Sequence, residues 1–278
     1  MFSVFKLLLA LAVLSHVGIA QTAFTPGCSL PFHGTAGLSI DKTCGMFGSA
    51  AEATPEGLQN KAKNNFCALA PVATVTPSIL LSLQQASKAK VSFGSHALLP
   101  KDRSTLEKGF AVGGKTYHEG QRVQMAAFFI ETHPADLSSG ESVNCDTKND
   151  ALGNDVHMAL GTAYGADECT SVTAELSPHF RPAEWEIIAD IKAKNKTTHP
   201  AAITQFPIRV TGQLLFDASH KLCASGKEVA GNPARQSGWE IHPVYQVDVC
   251  SRKTLSECEA DNAAVWIPIK DWTPPTGN

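Results

Sequence analysis

Asp155-Val156-His157-Met158-Ala159-Leu160-Gly161 alternates along its length. In an extended chain, Val156, Met158 and Leu160 share one face and Asp155 and His157 share the other. That pattern predicts a strand with one apolar side and one ionisable side. Working outward, the same period recurs. Arg122 to Thr132 precedes it, and Thr170 to Ser177, Pro207 to Asp217 and Trp239 to Val249 follow, each rich in Val, Ile, Phe and Thr and bounded by turn residues. One helix signal interrupts them: Pro182 opens it, Trp185, Ile188 and Ile191 recur at helical spacing, and Lys192, Lys194 and Lys196 close it. The predicted order is β-β-β-α-β-β.

Upstream, two Thr-Pro pairs signal helix starts. Thr54-Pro55-Glu56 precedes Leu58, Ala62 and Phe66, and Thr76-Pro77 precedes Ile79, Leu80 and Leu83. Threonine supplies a capping oxygen, and proline suits the first helical position because its missing N–H had no partner there. These helices carry no cluster of catalytic residue types, so their expected role is packing. At the chain start, Lys6, the apolar run Leu7 to Leu14 and the small-residue ending Gly18-Ile19-Ala20 read as a secretion signal cleaved after Ala20. Ser15 and His16 break the run well short of the ~20 apolar residues of a bilayer span. The expected organisation is a signal peptide over residues 1–20, a helical and loop extension over 21–108, a β domain over 109–250 and a tail over 251–278. The expected location is secreted or periplasmic, with no membrane contact after signal cleavage.

The formal charge is −3, and loss of Lys6 makes it one unit more negative. Nothing resembles a basic stripe able to neutralise many phosphates, which argues against tight non-specific binding of duplex nucleic acid. The 8 cysteines, an even number behind an export signal, predict disulfides. No Cys-x-x-Cys pair supports a structural zinc site. Pairings of Cys28 with Cys44, Cys145 with Cys169 and Cys250 with Cys258 are the expected ones, the last two for their short separation.

Five strands with a helix between the third and fourth resemble the OB-fold, a small, partly open Greek-key barrel. The fold expected is thus mostly β, a five-stranded OB-like barrel with a small helical N-terminal extension; an unrelated β-sandwich is the competing architecture. Phe216-Asp217-x-x-His220 followed by Trp239-Glu240-Ile241-His242-Pro243-Val244 resembles a pattern of secreted bacterial proteins, one that brings no established activity with it.

The OB-type resemblance implies a ligand face on the outside of the second and third strands, flanked by the loops joining strands one to two and four to five. Asp155, His157 and Glu175 fall on that face, and His220 and Arg235 in the second of those loops. Glu240 and His242 lie opposite Trp239 and Ile241 in the fifth strand, and Asp217 ends the fourth. Imidazoles and carboxylates gathered in this way suit zinc or manganese. Asp155, His157, Asp217, His220 and His242 are the expected ligands, with Glu175, Glu240 and Arg235 in catalytic roles, Arg235 pairing with an anionic substrate. The competing reading is a set of solvated outer-face side chains. Ser177 to Pro182 reads as a turn into the helix, and His33, His96, His118, His133 and His199 read as isolated surface residues.

Two functions follow from one groove. The first is a metal-dependent hydrolase of a phosphodiester or other anionic ester; thermonucleases of the staphylococcal type are similar in fold, though their acidic and arginine arrangement is not reproduced here. The second is a non-catalytic module for an extracellular oligosaccharide, peptide or short nucleic acid, with Trp239 or Tyr245 as a stacking surface. A secreted inhibitor or interaction protein is a third class. No Gly-x-Ser-x-Gly, P-loop or His-Glu-x-x-His motif supports esterase, nucleotide-hydrolase or zincin chemistry.

Overall fold

Each alternating run becomes a strand because it finds a hydrogen-bonding neighbour on both sides. A computed structural model describes residues 40–68, 71–134, 155–182, 184–185, 188 and 203–274. The elements are α1 (Ile40–Thr43), α2 (Pro55–Lys63), β1 (Ala73–Val75), α3 (Pro77–Ser87), α4 (Ser104–Lys108), β2 (Phe110–Val112), β3 (Lys115–Tyr117), β4 (Arg122–Pro134), β5 (Val156–Gly161), β6 (Val172–Leu176), β7 (Pro207–Phe216), β8 (Trp239–Cys250) and β9 (Trp266–Pro268). The expected signal segment lies outside the described residues, and so does most of the helix expected from Pro182. What is described there is a tight turn, with Trp185 N donating to Pro182 O and Ile188 N to Trp185 O, both at 2.9 Å. Among the described residues no helix is long and apolar enough to cross a membrane.

The strands β4, β5, β6, β8 and β7 follow one another around a closed, mixed barrel. All contacts are antiparallel except β6 with β8, which run parallel at Ala174 and Ile241. This connectivity is compatible with the OB-like barrel expected, but the barrel is closed rather than partly open. The reason is the 13-residue length of β4: Arg122 to Phe128 pair with β7, and Phe128 to Pro134 pair with β5 across a register shift between Phe129 and Glu131. One strand thus serves two edges and leaves neither open.

The lumen is apolar. Met125, Phe129, Met158, Leu160, Val210 and Ile241 are among the fully buried side chains that fill it. At one end α3 caps the barrel, with Leu80 and Leu83 fully buried, the Trp239 indole donating to Ser87 Oγ at 3.1 Å, and the Phe216 and Trp239 rings 5.3 Å apart. Both helix starts form as the Thr-Pro pairs predict. Thr54 Oγ1 accepts from Gly57 N at 3.0 Å and Thr76 Oγ1 from Ile79 N at 3.2 Å. β1 extends the sheet by pairing parallel with β4, and β9 does so by pairing with β8. The β2–β3 hairpin turns on Gly113 and Gly114, whose φ values of +58° and +77° suit the left-handed pair of a tight two-residue turn.

Cys250 pairs with Cys258 as expected. Cys169, however, pairs with Cys223 and not with Cys145. Short sequence separation misled because the barrel sets β6 beside β8, so the loop after β5 meets the loop after β7. There Gln236 N donates to Ser171 O at 3.1 Å, and the two cysteine Cα atoms come within 5.6 Å. Cys28 and Cys145 lie outside the described residues.

Gly212 sits where the β7–β8 register shifts. A methyl group there would meet Pro243 O at 2.4 Å and Ile241 Cγ2 at 2.6 Å. Gly212→Ala is expected to destabilise the protein by about 1–3 kcal/mol, as overpacking of a rigid site does. Denaturant unfolding should show a lower midpoint with an unchanged slope.

Candidate functional site

Two polar surfaces meet at the candidate site. Asp155, His157, Glu175, Glu240 and His242 stand on the wall of the barrel that faces away from its lumen, as their alternation with the core residues requires. They are nonetheless buried, Asp155, Glu175, Glu240 and His242 completely. The cover is α2. This helix turns inward its Gln59, Asn60 and Lys63, while Leu58 and Ala62, the expected packing residues, stay partly exposed. Gln59 Nε2 donates to Asp217 Oδ1 at 3.0 Å, Lys63 Nζ lies 3.9 Å from Glu175, and Gln213 Nε2 reaches back to Ala62 O at 2.7 Å. The helix docks by its polar side because the wall it meets is polar.

The residues singled out in the sequence form one connected network. The register pairs His157 with Glu175 across β5 and β6, and their side chains meet at 3.0 Å between Nε2 and Oε1. His242 Nδ1 passes 2.9 Å from Glu175 Oε2 and bonds Glu240 Oε1 at 3.2 Å, while its Nε2 lies 3.4 Å from Asp155 Oδ2. Arg235 then bridges Glu240 Oε2 at 2.5 Å and Asp217 Oδ2 at 2.6 Å. The same Asp217 oxygen meets His220 Nδ1 at 2.8 Å, and Ser219 Oγ donates to Oδ1 at 2.5 Å. Arg235 is wholly buried and holds two carboxylates of its own chain.

Burial and charge compete across the network. Desolvation alone would lower the pKa of His242, but Asp155 and Glu175 outweigh it and raise the value to about 10. Burial raises Asp155 to about 6, even though His242 pulls it down. Burial also works against ionised Glu175 and Asp217, yet both stay well below the usual carboxylate range. His157 and Lys63 hold Glu175 there, and Arg235 and His220 hold Asp217. Lys63 keeps its proton against burial because Glu175 leads a group of carboxylates around it. Glu240 goes the other way, raised by burial and by Glu175. A divalent ion has one matching donor set in this network: ligand atoms of Asp155, Glu175 and His242 lie within 4.8 Å of one another. The Glu175 oxygens each face an imidazole, His157 at 3.0 Å and His242 at 2.9 Å, whereas the buried His242 Nε2 makes no hydrogen bond.

Several contributors were not legible as site residues. Lys63 and Gln59 look like ordinary helix polar residues, and only the excess of carboxylates over cations on the wall signals a missing partner. Arg103 is a second buried arginine; it forms a bidentate pair with Glu119 and donates to Gln59 Oε1 at 3.3 Å, extending the network. His133 is not isolated, since it sits opposite His157 in the β4–β5 register. His96 stacks edge-on to His220 at 6.5 Å. Ser177 to Pro182 is a structural turn: His179 is buried against Asp41 at 2.8 Å, and Arg181 donates to Leu176 O at 3.0 Å.

Arg235→Met leaves Asp217 and Glu240 buried without their shared cation, so unfolding free energy is expected to fall by about 3–5 kcal/mol in denaturant titration. The proton on His242, whose pKa is raised in the fold, contributes stability that is complete below 6.5 and is lost as pH rises toward about 10. The melting temperature of the metal-free protein should therefore decline over that window, and His242→Gln should flatten the decline.

Comparison with protein-family models, curated proteins and solved structures finds no match to this chain, so its function rests on the site itself.

Proposed function

We propose that this is an exported protein that binds a divalent cation, zinc or manganese, through Asp155, Glu175 and His242. The observation that carries the reading is the convergence of two carboxylates and an imidazole in full burial, with the buried His242 Nε2 making no hydrogen bond. Buried polar atoms are rarely left so, and an ion would supply what they lack. His157, at the margin with its side chain 10 % exposed, is placed to orient Glu175. Imidazole must be neutral to bind a metal, so the cation takes the place of the His242 proton. Uptake then releases a proton and strengthens as pH rises.

Hydrolysis of a phosphodiester or other small anionic ester is the reaction proposed for the centre. A divalent ion would supply Lewis acidity and lower the pKa of a water. Within this chain, Glu175 and Glu240 hold the imidazole of His242, and Glu240, with its raised pKa, is the group suited to carry a proton. Arg235 fixes Glu240 and Asp217. A second reading is favoured by the complete burial of the triad under α2: a non-catalytic module for an oligosaccharide, peptide or short nucleic acid, in which the ion joins the extension to the barrel.

Elemental analysis of the purified protein before and after chelation tests the proposal. A zinc- or manganese-binding step is expected whose affinity rises with pH and falls at least ~10-fold in His242→Ala. A protein that takes up neither metal would end both versions. Turnover of a chromogenic phosphodiester that stops on chelation would select the hydrolase; a loss of melting temperature alone would select the module.

A further inference from the structure

A separate group of ligating side chains lies further along the same wall. Glu131 and His133 project from the end of β4, two residues apart and so on one face, and Glu168 comes from the short helical turn Glu168–Thr170 after β5. Ligand atoms of the three lie within 4.8 Å of one another, and His133 Nε2 stands 2.6 Å from Glu168 Oε1. Unlike the inner triad, this group meets solvent: the His133 side chain is 43 % exposed and that of Glu168 is 21 % exposed.

The third ligand is held from behind. Cys169, next to Glu168, is tied by its disulfide to Cys223 in the loop after β7. Asp167 caps the turn, its carboxylate accepting from Cys169 N at 2.7 Å and its carbonyl from Thr170 Oγ1 at 2.7 Å. The other two ligands ride on the stretch of β4 that is hydrogen-bonded to β5. Preorganisation of this kind separates a site from a loose patch of acids, because little ordering remains to be done when an ion arrives.

We infer that Glu131, His133 and Glu168 form a second divalent-cation site, open to solvent and selective for zinc or its neighbours over calcium and magnesium. One imidazole with two carboxylates is a donor set for zinc-like ions, whereas calcium and magnesium favour oxygen alone. Three protein ligands with exposure at the histidine leave a coordination position for water or a small anion. The register sets His133 opposite His157 and His157 opposite Glu175, so one member of the outer group and one of the inner triad stand in a row across three strands. This assignment does not depend on the inner triad binding a metal.

Zinc titration by calorimetry on the full chain tests it, using the wild type, His133→Ala, Glu168→Gln and His242→Ala. His133→Ala and Glu168→Gln are expected to weaken one zinc-binding step at least ~10-fold, and that same step should persist in His242→Ala. Calcium should not compete for it. Because His133 and Glu168 are partly exposed, both variants should fold, which unchanged melting without zinc will verify. Zinc isotherms of His133→Ala and Glu168→Gln identical to the wild type would overturn the outer site, and so would an absence of zinc binding. A wild type that binds one zinc, lost in His133→Ala but kept in His242→Ala, would support the outer site while removing the inner one.

Discussion

The Arg235 guanidinium joins Asp217, at the end of β7, to Glu240, at the start of β8, with no access to water. From this bridge the network runs in both directions. Through Asp217 it reaches Gln59 and so the helix α2, and through Glu240 it reaches His242, Glu175 and the third strand of the barrel. Charges so far from solvent are tolerable only if each has opposite charge and aligned donors around it. That requirement constrains the elements around them: the loop carrying Arg235 must fold back on its strands, and α2 must present Lys63 and Gln59 to the wall.

The lumen and the wall follow different physics. The lumen needs apolar volume, which Met125, Phe129, Met158 and their neighbours supply, and many sequences of similar size and hydrophobicity would satisfy it. The wall needs particular groups at particular distances. Trp239 and Glu240 show the division at adjacent positions, one ring packed on Phe216 at the barrel end and the next side chain locked to Arg235.

The five strands were legible because alternation is a local property, and Val156, Met158 and Leu160 declare their face without reference to the rest of the chain. The Thr54 and Thr76 caps were legible for the same reason. Barrel closure was less so, since it depends on how far β4 reaches past its neighbours. The pairing of Cys169 with Cys223 was hidden because two loops meet only after β6 and β8 align. The sequence placed Asp155, His157, Glu175, Glu240 and His242 on one side of their strands, and the structure brings them together there. What it hid was the cover: the apolar spacing of Leu58, Ala62 and Phe66 suggested an ordinary greasy contact for α2, and a helix docking by Gln59 and Lys63 is invisible until the charged wall is seen. His133 reads as isolated because its meeting with Glu168 depends on how the turn after β5 folds back toward β4.

The polar seam between α2 and the barrel has a consequence for how the molecule comes apart. Oil-like contacts tighten in concentrated sulfate and leave sticky surfaces when opened. A joint made of ions and amides behaves otherwise: its bare halves are readily wetted, and they have little tendency to clump. Detachment of α2 alone would thus unveil a hydrophilic, net acidic groove on the barrel, while α3 kept its oily end covered.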